Sequence, residues 1–110
     1  MEAVKAGHTI GLSSIALHEL WFGAAKSQNP ERSRNALGIF ISGVNIVDFN
    51  GDDALAAGEV RSQLSKAGKT IGPFDTLIAA QALRRKLTVV SGNLGGFKRV
   101  RGLVVENWSK

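Results

Sequence analysis

Residues 72–80 read Gly-Pro-Phe-Asp-Thr-Leu-Ile-Ala-Ala, and apolar side chains continue to residue 83. Pro73 suits the first position of a helix, because the N–H that proline lacks would have no partner there. The helix predicted from Phe74 to Lys86 is apolar nearly all the way round, so we expect it to be buried on several sides. The short apolar strand Thr88–Val90 follows directly. This unit of a buried helix and a strand indicates an α/β domain.

The rest of the chain repeats the alternation of strands and helices. Its apolar strands indicate a parallel sheet that helices cover on both faces, and nothing before Thr9 has the pattern of a further strand. We therefore predict a single domain spanning residues 1–110. The remaining predicted strands are Thr9–Leu12, Val44–Phe49 and Leu103–Val105, the last of which is closed by Trp108. The remaining predicted helices are one that begins after a cap at Ser13 or Ser14 and stops at Asn29-Pro30, one at Glu31–Phe40, and one that is capped by Asn50-Gly51-Asp52-Asp53 and ends near Gly68.

The composition excludes several classes of protein. The 110 residues carry a net charge of +5 and no cysteine, which excludes a disulfide scaffold and a thiolate metal site. No apolar run approaches the ~20 residues of a membrane span, and the first residues do not resemble a signal peptide, so we expect a cytoplasmic protein. From Thr76 to Val105 the chain has no acidic residue. Such a one-signed stretch is typical of a nucleic-acid binder, although it can equally be a solvated surface.

Three side chains are candidates for chemistry, each with a structural alternative. Glu19 lies among apolar neighbours on its helix, where a carboxylate needs a cation or a path to water. Asp75 lies in the first turn of the buried helix, where it could simply complement the helix dipole. Asn93 follows the strand Thr88–Val90 in the zone where α/β proteins bind ligands, but it could simply form a turn with its glycine neighbours.

Other conspicuous residues favour structural roles. His8 and His18 lack metal-ligand spacing and are predicted to be surface residues. Trp21 and Trp108 lie in apolar elements and are predicted to fill the core rather than to stack on bases. The glycines after Val90 form no phosphate-binding loop.

Taken together, four blocks of the sequence resemble the PIN domains of VapC-type toxins in order and spacing. The most specific of them is the Gly-Pro-Phe-Asp-Thr-Leu-Ile-Ala-Ala stretch. The blocks are Leu12–Gly23, Gly72–Ala80, Leu87–Asn93 with Phe97, and Val100–Trp108.

The resemblance implies a PIN-like three-layer fold and a metal-dependent endoribonuclease, the toxin of a type II toxin–antitoxin pair. The implied cofactor is Mg²⁺ or Mn²⁺, and the implied partners are the RNA substrate, a small antitoxin and a second copy in a homodimer. Glu19, Asp75 and Asn93 become the catalytic residues, with Glu19 and Asp75 converging to hold the metal. The implied RNA-binding residues are Arg84, Arg85, Lys86, Lys98, Arg99 and Arg101.

The chain also departs from the family pattern. Family members begin with a central strand that ends in Asp-Thr-Asn and supplies a metal ligand, so the resemblance implies a truncated domain without this strand, from a late reading-frame start or a decayed copy. Asn93 offers an amide in the motif Ser91-Gly92-Asn93, and Gly96 stands where an acid often precedes Phe97. The alternative function is therefore a truncated or inactive module that binds RNA or antitoxin without cleavage. An unrelated small-molecule binder would need a phosphate-loop or dinucleotide fingerprint, which the sequence lacks.

Overall fold

The computed structural model describes residues 2–108, which form a five-stranded sheet and five helices. The α/β class predicted from the alternating pattern is confirmed. The strands are β1 (Ala3–Ala6), β2 (Thr9–Ser13), β3 (Asn45–Val47), β4 (Thr88–Val90) and β5 (Val105–Glu106). The helices are α1 (Ser14–Ala25), α2 (Pro30–Ile41), α3 (Gly51–Lys66), α4 (Pro73–Arg85) and α5 (Leu94–Phe97).

The sheet has the order β3-β2-β1-β4-β5 and is mixed rather than wholly parallel. The outer pairs β2–β3 and β4–β5 are parallel, whereas central β1 runs antiparallel to both of its neighbours. The prediction that no strand precedes Thr9 is therefore wrong, because β1 takes the central position of the sheet, although it reads Ala-Val-Lys-Ala and does not end in Asp-Thr-Asn. The two residues Gly7 and His8 reverse the chain between β1 and β2, and Gly7 takes the positive φ of +60° that suits this tight turn.

The main core lies between one face of the sheet and helices α3 and α4. Val4 and Val89 pair across β1 and β4 and contribute to this cluster, together with Ile78 of α4 and Phe97 of α5. The prediction of a helix buried on several sides is confirmed, since residues 78–80 of α4 are at most 1% exposed. A smaller cluster on the opposite face is centred on Leu12.

The predicted helix starts are confirmed by their caps. The Ser13 side chain accepts a hydrogen bond from the Ile15 backbone N–H at the start of α1. Asn50 and Asp53 form a reciprocal capping box at the start of α3. At the end of α4, Lys86 adopts the left-handed conformation with a φ of 58°.

Two predictions about large side chains are wrong. Trp21 and Trp108 are 38% and 45% exposed, so neither fills the core. Both stand in apolar stretches, but α1 turns Trp21 outward and the last strand ends before Trp108. His8 and His18 are exposed, as predicted. Within residues 2–108, each helix is too short or too polar to span a bilayer.

Candidate active site

The direction of each element brings polar side chains to one edge of the sheet. Strand β4 ends there at Val90, and the N-terminus of α4 lies at the same edge because α4 runs back antiparallel to β4. Ala3 pairs with Val90, so antiparallel β1 places Glu2 at this edge as well. The edge therefore gathers Glu2, Asp75 and the loop that follows β4.

Asp75 and Asn93 are in direct contact. The side-chain Nδ2 of Asn93 donates to Oδ2 of Asp75 at 3.2 Å, while its Oδ1 accepts from the backbone N–H of Gly96 at 3.3 Å. A Cβ on Gly96 would lie 2.7 Å from Nδ2 of Asn93, so a side chain at this position would displace the amide. Asn93 thus caps α5 and orients the Asp75 carboxylate at the same time.

Ser91 connects this pair to the N-terminal strand. Its hydroxyl is fully buried, donates to Oε2 of Glu2 at 3.2 Å and accepts from the backbone N–H of Asn93 at 2.9 Å. One hydroxyl therefore sets the positions of both the Glu2 carboxylate and the Asn93 loop.

The electrostatics of the edge centre on Glu2. Burial raises the pKa of Glu2 above its ordinary value of 4.5, and the negative charges of Asp75 and Glu19 raise it further. Glu19 itself is exposed on α1. Both predicted carboxylates, Glu19 and Asp75, therefore lie close enough to Glu2 for their charges to interact with it.

The edge offers hard oxygen ligands in a field of negative charge, which suits a hydrated divalent cation. The side chains do not already form a coordination shell, however. Among residues 2–108, no group of three or more histidine, aspartate or glutamate side chains is arranged so that it could hold a metal ion. The carboxylates of Glu2, Asp75 and Glu19 lie in the same region, but their oxygens would have to move closer together to coordinate one cation.

Comparison with known proteins identifies the fold and the family. The profile of the PIN domain matches residues 1–103. This chain belongs to the PIN-domain family. Ribonuclease VapC2 of Rickettsia felis is 39% identical over 110 residues, which span 100% of this chain and 82% of that protein. The tRNA(fMet)-specific endonuclease VapC of Shigella flexneri is 41% identical over 98 residues, which span 89% of this chain and 74% of that protein.

Solved structures of VapBC complexes have the same PIN fold. The DNA-bound VapBC of Salmonella typhimurium contains a chain with a TM-score of 0.85 and 40% identity, over 88% of this chain and 74% of that one. VapBC-1 of nontypeable Haemophilus influenzae gives a TM-score of 0.87 at 31% identity, over 96% of this chain and 79% of that one. The fold and sequence are therefore those of an endoribonuclease toxin. PIN nucleases generally depend on a divalent metal.

The basic residues predicted to bind RNA fall into two groups in this PIN domain. Arg84, Arg85 and Lys86 lie at the C-terminal end of α4, about 14 Å along the helix axis from Asp75. Nε of Arg84 and Nη2 of Arg85 each bind the Asp53 carboxylate at 2.8 Å, and Nη2 of Arg85 also donates to the Asp48 carbonyl. These two arginines stabilise the fold through their ion pairs with Asp53, and they lie too far along α4 to contact a substrate at Asp75.

The second basic group lies at the Asp75 end of the PIN domain. Lys98 and Arg99 follow α5, whose N-cap is Asn93. Arg99 spans to the segment that precedes α4, because its Nη1 donates to the Thr70 carbonyl at 2.9 Å. Arg101 is exposed two residues further on. Residues 98–101 are therefore the part of the basic stretch that lies at the same end of the domain as Asp75 and Asn93.

Sequence reasoning missed two residues that the structure makes prominent. Glu2 precedes a short apolar stretch, and its position depends on the reversed direction of β1, which no local pattern shows. Asp53 was recognised only as part of a cap, although it is fully buried and also accepts from Arg84, Arg85 and Gln81. The sequence signal that could have indicated this role is the pair Arg84 and Arg85 at the end of a buried helix, because charged groups close to the core require partners of opposite charge.

Proposed function

We propose that this chain is a Mg²⁺-dependent endoribonuclease that acts as the toxin of a VapBC-type toxin–antitoxin pair. The observation that carries the proposal is the contact between Asp75 and Asn93 at the sheet edge that also holds Glu2, with the charge of Glu19 close enough to act on Glu2. Support comes from the relatives named as ribonucleases and from a tRNA-specific endonuclease. RNA is accordingly the proposed substrate, and the cytoplasm is the compartment in which we expect it to be cleaved.

The residues at the edge fit a divalent cation. Glu2 is partly buried beside a second carboxylate, and a bound cation would remove the repulsion between them. Mg²⁺ keeps most of its waters and needs only one or two protein carboxylates, so Asp75 with Glu2 or Glu19 would be enough to hold it. When bound, the metal would activate water and neutralise charge on the phosphate.

The protein's own side chains have defined roles in this proposal. The Asn93 amide holds the Asp75 carboxylate in one orientation, and the Ser91 hydroxyl does the same for Glu2. Lys98, Arg99 and Arg101 would attract the RNA backbone from the same end of the domain. Glu19 would add negative charge that favours cation binding or accept a proton from the attacking water. Arg84, Arg85 and Lys86 would contribute to the overall field rather than to direct contacts.

An antitoxin is the proposed protein partner, because the similar solved chains come from VapBC complexes. The chain leaves large apolar side chains exposed on α1 and α2, among them Phe22 at 60% and Ile39 at 77%. Exposed apolar groups on neighbouring helices favour a protein interface. We also expect a homodimer, as the family resemblance implies.

Cleavage of a fluorogenic single-stranded RNA in the presence of Mg²⁺ tests the proposal. Asp75→Asn removes the charge but keeps the shape, and we expect it to reduce the cleavage rate at least about a hundredfold. Asp52→Asn, an exposed aspartate in the first turn of α3, is the matched control and should retain full activity. Cleavage that continues unchanged in excess EDTA would rule out the metal-dependent reaction.

A second candidate function is RNA or antitoxin binding without cleavage. It is favoured by the neutral amide of Asn93, which contacts Asp75 at a position where a carboxylate would add a further metal ligand. Fluorescence anisotropy with the same RNA distinguishes the two functions. Salt-sensitive binding by a preparation that shows no turnover at any Mg²⁺ concentration supports the binding module.

A further inference from the structure

A mostly apolar cleft lies between α3 and the start of α4. Its volume is about 580 Å³, within the range of small-molecule sites. Its walls are mostly apolar and include two phenylalanines, while Arg61 is the one charged side chain among the described residues that line it. The residues that matter here are Phe49, Arg61, Leu64, Ile71, Phe74 and Leu77.

Phe74 presents an aromatic surface in this cleft although it is 43% exposed to solvent. The His18 ring packs against it edge to face, with the ring centroids 4.7 Å apart. His18 is itself anchored, because Nδ1 lies 2.7 Å from the Ile15 carbonyl, which can only accept, so Nδ1 must donate. Phe74 is therefore a braced aromatic side chain at an open site rather than a loose surface residue.

The cleft and the proposed catalytic edge share the start of α4. Phe74 immediately precedes Asp75, and Thr70 contributes both to the cleft lining and to the contact with Arg99. Arg61 lines the cleft, and the Arg99 guanidinium binds the carbonyl of a lining residue, so two positive charges lie in or beside this mostly apolar cavity. A ligand that combines a flat apolar ring with nearby negative charge would match this arrangement, and a nucleotide has both features.

We propose that this cleft binds one nucleobase of the RNA strand whose phosphate lies at Asp75, with Phe74 as the stacking surface. The inference rests on the proposed ribonuclease function and adds a base-binding subsite to it. Aromatic side chains bind bases of single strands by stacking, which tolerates any base because each has a π face. Among the residues that the structure describes, Arg61 is the one charged side chain of the cleft lining and no acidic side chain lines it, so the cleft itself does not repel the negative charge of a nucleotide.

The test measures RNA binding rather than cleavage. A short single-stranded RNA carrying 2-aminopurine at one position is compared with the same RNA carrying an abasic residue there, both without divalent metal. We expect Phe74→Ala to weaken binding of the intact RNA about tenfold, to abolish the quenching of 2-aminopurine, and to leave binding of the abasic RNA unchanged. Phe74→Trp should retain both affinity and quenching. Phe40→Ala is the matched control, because Phe40 is 47% exposed on α2 and does not line the cleft.

The alternative occupants give different results. Equal weakening of intact and abasic RNA would overturn the base subsite, as would failure of the wild-type protein to bind either RNA at low salt. A second copy of the chain in the cleft would appear as a change in sedimentation of Phe74→Ala with unchanged RNA affinity. If Phe74-dependent binding is found but the RNA is never cut, the subsite stands and the ribonuclease proposal fails. If cleavage depends on Asp75 but Phe74→Ala has no effect on RNA binding, the ribonuclease proposal stands and the base subsite fails.

Discussion

Asp53 illustrates how one buried carboxylate joins distant parts of the chain. It is fully buried at the start of α3 and accepts hydrogen bonds from Arg84 and Arg85 at the end of α4. Asp53→Asn would remove the negative charge between the two guanidinium groups and replace one accepting oxygen with an NH₂ group that can only donate. We expect a loss of about 2 kcal/mol in the free energy of unfolding, below the full cost of breaking a buried pair because both arginines reach solvent. Urea denaturation measures this, and exposed Asp52→Asn should change stability by no more than about 0.5 kcal/mol.

The same residue predicts a pH dependence. Burial alone would raise the pKa of Asp53, but hydrogen bonds from Arg85, the Asn50 backbone and Arg84 outweigh it and hold this pKa well below its ordinary 3.8. An acid whose pKa is lowered by folding stabilises the fold fully above its unfolded pKa and progressively less below it. The stability difference between wild type and Asp53→Asn should be the same at about pH 7 and about pH 5, and smaller at about pH 3. A difference that stays constant down to about pH 3 contradicts the assigned role.

Asn93 allows a test of the charge balance at the candidate site. Asn93→Asp would place a second carboxylate where the amide now donates to Asp75 at 3.2 Å. Without divalent metal we expect a loss of about 1 kcal/mol, or a Tm lower by ~4–8 °C, because two like charges would face each other. Mg²⁺ should raise the Tm of this variant more than that of wild type. Thermal denaturation with EDTA and with Mg²⁺ measures both effects, and Asn35→Asp on exposed α2 should show neither.

At the scale of a single element, the direction of β1 determines which end of this strand lies at the sheet edge that holds Asp75. If β1 ran parallel to its neighbours, Glu2 would lie at the opposite edge from Asp75. In the antiparallel arrangement, Glu2 is partly buried and close to the negative charges of Asp75 and Glu19, and its pKa is raised. We expect Glu2→Gln to raise the Tm in EDTA and to reduce the Tm increase that Mn²⁺ produces. Exposed Glu59→Gln on α3 is the control, and identical behaviour of the two variants would remove Glu2 from the site.

Elements with strong local signals were predictable, and the one that depends on distant pairing was not. Helix α4 follows from a run of apolar side chains behind Pro73, and the start of α3 follows from the capping pattern of Asn50 and Asp53. Strand β1 is four residues long and is stabilised by pairing with β4, more than eighty positions away. No periodicity within residues 3–6 could indicate that contact, so its existence and its direction emerge only in three dimensions.

For the molecule as a whole, the sequence indicated candidate site residues but not which of them would lie together in the folded protein. Asp75 and Asn93 were singled out because each borders a buried element, and the structure brings them into contact. Arg84 and Lys98 belong to the same uninterrupted basic stretch, yet folding sends one towards Asp53 and leaves the other beside α5. A linear count of charge therefore overestimates how much of it can reach the RNA, because ion pairs with distant acids are invisible to it.

This separation predicts that two lysines of the same stretch contribute unequally to RNA binding. Lys98 follows α5, whose N-cap is Asn93, whereas Lys86 caps the C-terminal end of α4, which is the end opposite Asp75, and both lysines are exposed. Each lysine that contacts a phosphate of single-stranded RNA adds about 0.7 to the slope of log affinity against log salt concentration. We expect Lys98→Gln to weaken RNA binding and to reduce that slope by about this amount, while Lys86→Gln leaves the slope unchanged although it removes the same charge. Anisotropy titrations over a series of salt concentrations measure both slopes. Equal reductions for the two variants would mean that RNA responds to the net charge of +5 rather than to its arrangement around Asp75.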